Sequence, residues 1–410
     1  MMLLHRHTVM HSLLRLIRYQ ISLFKLPFLV GWLLFTDAAL AEQVCSPVAQ
    51  SHRLEQPIRG VWVASPDHNR FFDTTETMRQ QLKVWKQQGI NTVFVAMWNQ
   101  GRTLYPSKVV QGVTGVSIDA RFKDRDPLQE VIQVAHQEGV KVYAWFEFGF
   151  ASDYKGGLGS ELLDKRPQWA ALDRHGKHVV KNGFRWMNAM DPQVQDFVLS
   201  LVTEVVERYD VDGVQGDDRL PAMPSEGGYD SGTVARYKLA HDGKVPPTNP
   251  KDADWLQWRA EDLNRFVQRL HTEVKRRKPA VQISMSPSPY PWGRDEYLQD
   301  WPTWLKNGWV DSVSPQLYRY NLEGYKTELQ KISREQVCPA QLHQVFPGIL
   351  LALGSEYLAP SELLNDQIRL NRSEGLAGEV FFHSEGLRKR ADYFGEAYRA
   401  TWTVTPANNP

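Results

Sequence analysis

In "DPQVQDFVLSLVTEVVERYDVDGVQGDD", residues 191–218, a helix-forming run passes directly into a short apolar strand that ends on two adjacent acids. Asp191 suits a side-chain cap, and Pro192 suits a first helical turn, where no backbone N–H is needed. Apolar residues recur at helical spacing up to Tyr209, and "VDGVQGDD" (211–218) then reads as a strand. Asp210 and Asp212 fall at its start, Asp217 and Asp218 at its end. A calcium loop of the EF-hand type needs acids at positions one, three and five, Gly at six and Glu at twelve. Here Val214 holds position five and Pro221 position twelve, which argues against calcium.

The same rhythm extends in both directions. Strands are expected at 58–64, 90–98, 140–148, 211–218, 280–287, 309–318, 346–353 and 377–384. Helices follow them at 74–89, 126–139, 191–209, 254–278, 298–308, 322–332, 360–374 and 386–400. Near-continuous Val, Ile and Phe strands separated by helices imply a parallel sheet buried on both faces. Eight such units fit an α/β fold of the (β/α)₈ TIM-barrel type. An open doubly wound sheet is the alternative, but no Gly-rich phosphate loop follows any strand. Two stretches break the rhythm, 99–125 after strand two and 219–253 after strand four, and are read as long βα insertions.

The 410 residues carry a formal net charge of +1, which gives no electrostatic case for nucleic acid or an acidic membrane surface. Residues 1–41 combine a basic start, the apolar run "LPFLVGWLLF" and the small-residue site Ala39-Leu40-Ala41. This pattern predicts a signal peptide cleaved near Ala41, with export to the periplasm or beyond and no stable membrane span afterwards. A polar lead-in (42–57), one barrel (58–402) and a frayed tail (403–410) complete the organisation. The two cysteines, Cys45 and Cys338, would then share an oxidising compartment, which allows either one disulfide or two thiols. No His or Cys spacing suggests a metal site, no Gly-x-Ser-x-Gly elbow suggests serine chemistry, and no cofactor motif is present.

A barrel carries its chemistry at the C-terminal ends of its strands. Those ends hold Trp62, Trp98-Asn99, Trp145 with Glu147, Asp217-Asp218, Gln316 with Tyr318-Arg319, and His383 with Glu385. Acids, aromatics and hydroxyl-binding groups therefore gather at one face. Asp212 and Asp311, at strand starts, are read as bottom-face residues that position their strands. Glycoside hydrolysis needs two carboxyl groups about the scissile bond, one ionised and one supplying a proton. Neighbours on a strand point to opposite sides, so Asp217 and Asp218 cannot simply be that pair. Asp217 is taken as a catalytic carboxylate, Asp218 as its support, and Glu385 or Glu147 as the second acid. Each second acid has a plainer role open to it: an ion pair with Arg185 for Glu147, a helix-start acid for Glu385. Trp62, Trp98 and Trp145 are read either as sugar platforms or as barrel packing, and Asn99, Gln316, Tyr318, Arg319 and His383 as hydroxyl partners.

"RGVWVA", "GINTVFVAMWNQGRTLYPS", "DPLQEVIQVAHQEGVKVYAWFEFGF", "DPQVQDFVLSLVTEVVERYDVDGVQGDD", "SMSPSP" and "DSVSPQLYR" stand in this order between Arg59 and Glu385. Together they resemble the glycosyl hydrolase-like 10 family of exported bacterial proteins. The resemblance implies a barrel and action on a polysaccharide, and related members include a divisome-associated hydrolase of stripped peptidoglycan strands. Asp212, Gly213, Asp217 and Asp218 match the family's motif after strand four. Gly216 stands where an aromatic is usual, and Arg219-Leu220 where Tyr or His and then Phe are usual. Glu147 matches one subgroup, and Glu385 resembles the acid at the end of strand eight. The expected function is that of a glycoside hydrolase, and the alternative is a non-catalytic glycan-binding barrel of the cell envelope.

Overall fold

The computed structural model describes residues 56–66, 70–157 and 159–403. The leader over 1–41, Cys45, and with it the choice between a disulfide to the buried Cys338 and two thiols, and the tail beyond Thr403 lie outside the described residues.

Eight parallel strands form the barrel: β1 (Arg59–Val63), β2 (Thr92–Ala96), β3 (Lys141–Phe146), β4 (Gly213–Gly216), β5 (Gln282–Met285), β6 (Ser312–Val313), β7 (Gly348–Leu350) and β8 (Glu379–Phe382). Their hydrogen-bonded order is β6-β5-β4-β3-β2-β1-β8-β7. The remaining seam, between β6 and β7, is closed by parallel bridges that pair Val313 with Val345 and Gln316 with Gly348. Phe346 N–H donates to Val313 O (2.9 Å) and Gly348 N–H to Pro315 O (2.8 Å) across it. The ring leaves no free sheet edge, which is how closure removes the aggregation hazard of an open sheet.

Helices α1 (Thr75–Gln87), α2 (Pro127–Gln137), α3 (Pro192–Arg208), α4 (Ala253–Arg277), α5 (Trp301–Lys306), α6 (Leu322–Lys331), α7 (Ser361–Ser373) and α8 (Glu385–Lys389) follow the strands in turn. Asp126 and Asp191 cap α2 and α3 by accepting the Gln129 and Gln193 N–H groups, with Pro in each first turn. Trp62, Phe94, Tyr143, Trp145, Phe346 and Val380 fill the barrel interior, while a larger cluster packs strands against helices. At the bottom face one device appears twice. Asp212 Oδ2 accepts the Val142 N–H (2.8 Å), and Asp311 Oδ2 accepts the Ile283 N–H (2.7 Å). Each acid thus ties the strand it begins to the strand before it.

The strand ends and the connections depart from the sequence expectation in three places. The sixth strand shrinks to two residues, because the Pro315 ring offers no N–H to extend its ladder. The last helix breaks into Glu385–Lys389 and Glu396–Ala400. A third insertion, 147–191, follows β3 and was not anticipated; it folds Ala151–Tyr154, Val180–Lys181 and Phe184–Trp186 into a small antiparallel sheet. Its strands are only two to four residues long, too short to leave a period in the sequence.

Candidate active site

Beyond Gly216 the chain turns sharply, and this turn sets out the two acids unlike each other. Asp217 is 1% exposed. Its Oδ1 accepts the Arg219 N–H (2.9 Å) and its Oδ2 accepts Arg219 Nη2 (2.7 Å). Asp218 keeps a side chain 30% exposed, with Oδ1 2.9 Å from Arg219 Nη1. One guanidinium therefore spans both carboxylates. Arg219 Nε donates in addition to Glu147 O (2.8 Å), and the cation lies over the rings of Phe184 (4.9 Å) and Phe148 (5.5 Å). Burial pushes the Asp217 carboxyl well above the ordinary carboxylate range; Arg219 opposes this, and the charges of Asp218 and Glu147 add to it. Gln299 Nε2 donates to Asp217 O (2.9 Å) and pins the turn from below.

Glu147 stands one residue beyond Phe146, which pairs with Gly216 in the β3–β4 register. Adjacent strands are ~4.8 Å apart, so Glu147 shares the level of the acid pair. Its Oε2 accepts Asn99 Nδ2 (2.7 Å), from the hairpin after β2. Arg185 meanwhile bonds Asp153 (2.7 Å), within the third insertion. Glu385 takes a different place. It is paired with Lys389 (2.9 Å) and lines a groove of about 780 Å³ with Arg70, Val84, Trp85, Ser384 and Arg388. The Lys389 hydrogen bond holds its carboxyl below the usual range. Glu147 is thus the acid that the fold brings to Asp217 and Asp218.

The other expected residues separate by burial. Trp62 is 1% exposed and lies inside the barrel, with Nε1 donating to Gln215 Oε1 (2.7 Å). Trp145 packs beside it at 6.4 Å, and Tyr318 and Phe382 close over it at 6.4 and 6.2 Å. Trp98 has no exposed surface; its ring meets Phe197 of α3 and its Nε1 donates to Gly149 O (3.0 Å). The sugar-platform reading is therefore corrected to packing: Trp62 and Trp145 form the floor of the site, and Trp98 joins the helical layer. Arg319 turns outward to Glu328 of α6 (3.2 Å), away from the acids. Gln316 Nε2 donates to Ser286 O (3.1 Å) at the β5–β6 rim, and His383 is buried against Phe382. Among the described residues no group of His, Cys, Asp and Glu is placed to hold a metal ion.

Sequence reasoning passed over Arg219 as a working residue, although its place directly after two acids was a visible signal. It also missed the wall built by the third insertion. Lys181 of that insertion reaches Glu226 (3.0 Å) and Glu296 (2.7 Å), and Asn182 Nδ2 donates to the Tyr297 hydroxyl (2.8 Å). Three βα segments, after β3, β4 and β5, are thereby stitched together beside the acids.

Residues 57–354 match the family model described as glycosyl hydrolase-like 10. The chain belongs to that family. Glycosyl hydrolase DigH of Escherichia coli (strain K12) is 29% identical over 66% of this chain and 68% of its own length. Glycosyl hydrolase YngK of Bacillus subtilis (strain 168) is 24% identical over 84% of this chain and 71% of its own. The fold is that of the PgaB (BpsB) glycoside hydrolase domain from Bordetella bronchiseptica, with a TM-score of 0.61, 15% identity, and coverage of 85% of this chain and all of that one. Alpha-L-fucosidase isoenzyme 2 from Paenibacillus thiaminolyticus follows, with a TM-score of 0.60, 20% identity, and coverage of 84% and 49%. In this glycosyl hydrolase-like 10 protein Gly216 has a local cause. A Cβ there would meet Leu220 O at 2.3 Å and Met285 Sδ at 2.7 Å, so the turn that carries the acids leaves no room for a side chain at this position.

Proposed function

We propose that the chain is an exported glycoside hydrolase that cleaves O-glycosidic bonds of a bacterial polysaccharide, foremost the glycan strands of peptidoglycan. The observation that carries this reading is the meeting of Asp218 and Glu147, both half-buried, on neighbouring strand ends above an aromatic floor. Arg219 places a cation beside Asp218, which suits a carboxylate that works as an anion, as nucleophile or as base to water. Glu147, oriented by Asn99, is assigned the proton delivered to the departing sugar oxygen. Asp217 is a positioning residue: it fixes Arg219 and has no surface of its own to offer a substrate. This exchanges the roles first expected for the two aspartates.

A non-catalytic glycan-binding barrel is the second reading. It is favoured by Arg219, which occupies an oxygen of each aspartate. Incubation of the protein with denuded and with intact peptidoglycan strands, followed by mass spectrometry, separates the two. Hydrolysis yields shortened strands with new reducing ends. Glycan that is retained by the protein but never shortened supports the binding barrel.

A further inference from the structure

We infer that Trp292 and Tyr320 are stacking platforms for sugar units beyond the one cleaved, so that the site takes a polymer chain rather than a short glycoside; this rests on the glycosidase reading above.

Large apolar side chains seldom stay exposed without a use when they gather on one face. Among the described residues, Tyr154, Val180, Leu239, Val245, Trp292, Tyr320 and Leu353 are exposed in segments that follow barrel strands, and only Val84 is exposed on a barrel helix. The exposed large apolar side chains thus lie mostly in the strand-to-helix connections rather than on the barrel helices. Trp292 is 50% exposed and Tyr320 62%. Each is one step from the acid cluster. The Trp292 ring rests 5.5 Å from that of Tyr297, and Tyr297 is tied to the third insertion through Asn182 and lies under Lys181 at 4.8 Å. Asp218 and Arg219 both act electrostatically on Tyr297. Tyr320 stands two residues beyond Tyr318, whose ring covers Trp62 and which lies in the field of Asp218 and Asp217. Tyr320 is steadied edge-on by Tyr357 at 4.9 Å.

Both rings are therefore fixed on one side by another ring and open on the other. A rigid aromatic face held this way can stack on the C–H face of a sugar with little ordering cost. The two lie in different strand-to-helix connections, Trp292 opening the short helix Trp292–Tyr297 after β5 and Tyr320 in the turn after β6.

The test uses denuded peptidoglycan strands fractionated by length, with kcat and KM measured separately for each fraction. The unsubstituted protein is expected to gain kcat/KM as strands lengthen. Trp292→Ala and Tyr320→Ala are each expected to lose about tenfold in kcat/KM on long strands, chiefly through KM, and to flatten the dependence on length. Trp292→Phe and Tyr320→Phe are expected to keep most of it. Equal losses on the shortest and longest strands, or no loss at all, would overturn the platforms while leaving the glycosidase reading intact. An unsubstituted protein inert on every fraction would overturn both.

Discussion

Arg219 is the residue on which the geometry of the site turns. Arg219→Gln removes the cation that Asp217 and Asp218 share and leaves Asp217 buried beside a neutral side chain. Breaking a buried pair from one side costs about 3 kcal/mol, and denaturant unfolding should register a loss of that order. Turnover should fall with it, and more in kcat than in KM, because the acids lose their orientation rather than their access to substrate. Asp217→Asn is the milder change. The amide keeps an oxygen for the Arg219 N–H, so the fold should persist, and kcat should fall about 10-fold to 100-fold as Arg219 loosens. The pair itself was legible from the sequence, as two acids at a strand end. Which of the two keeps an exposed side chain was not, because that depends on a turn held by Gln299, far along the chain.

At the scale of the element, two close approaches hold the turn after β4. Gly149 has φ +47°, and a Cβ on it would strike Arg219 O at 2.2 Å. Gly216 is enclosed in the same way by Leu220 O. Gly216→Ala should therefore destabilise the protein by about 3 kcal/mol, seen as a lower denaturant midpoint at unchanged m, and should lower activity by displacing Asp218. A second element-level device joins the start of α1 to α2. Arg125 Nε and Nη2 bond Glu130 at 3.0 and 2.6 Å, and Thr75 Oγ1 donates to the same carboxylate at 2.8 Å. Burial works to raise the Glu130 carboxyl, but the hydrogen bonds from Arg125 and Thr75 hold it below its ordinary value. A depressed folded value means stability that is present above about pH 4.5 and lost as the pH falls through the folded value. Glu130→Gln should cost about 1–2 kcal/mol at pH 7. The gap from the unsubstituted protein should close on acidification to about pH 3, as unfolding curves across that range would show. Caps and strand starts such as Asp126, Asp191, Asp212 and Asp311 were readable because their partners lie nearby in sequence or follow from the strand order. The third insertion was not, since its short strands are stabilised by contacts to the β4 and β5 loops rather than by any pattern of their own.

On the scale of the whole molecule, the barrel places residues 70 positions apart, Glu147 and Asp217, at one level. The eight-strand rhythm made that closure legible, and the acids at 147, 217 and 218 with it. Glu385 also follows a strand end, but its side chain turns to Lys389 and to a groove that it lines with Arg70, Ser384 and Arg388. Hydrophobic rhythm locates a strand end but not the direction in which a side chain leaves it. The most direct measurement is the release of reducing ends from denuded peptidoglycan strands by the unsubstituted protein, Asp218→Asn and Glu147→Gln, with unfolding curves for all three. The account predicts turnover by the unsubstituted protein and a loss of about 10³-fold or more in each variant, with stability little changed. Near-normal turnover by a folded Asp218→Asn or Glu147→Gln protein would contradict it.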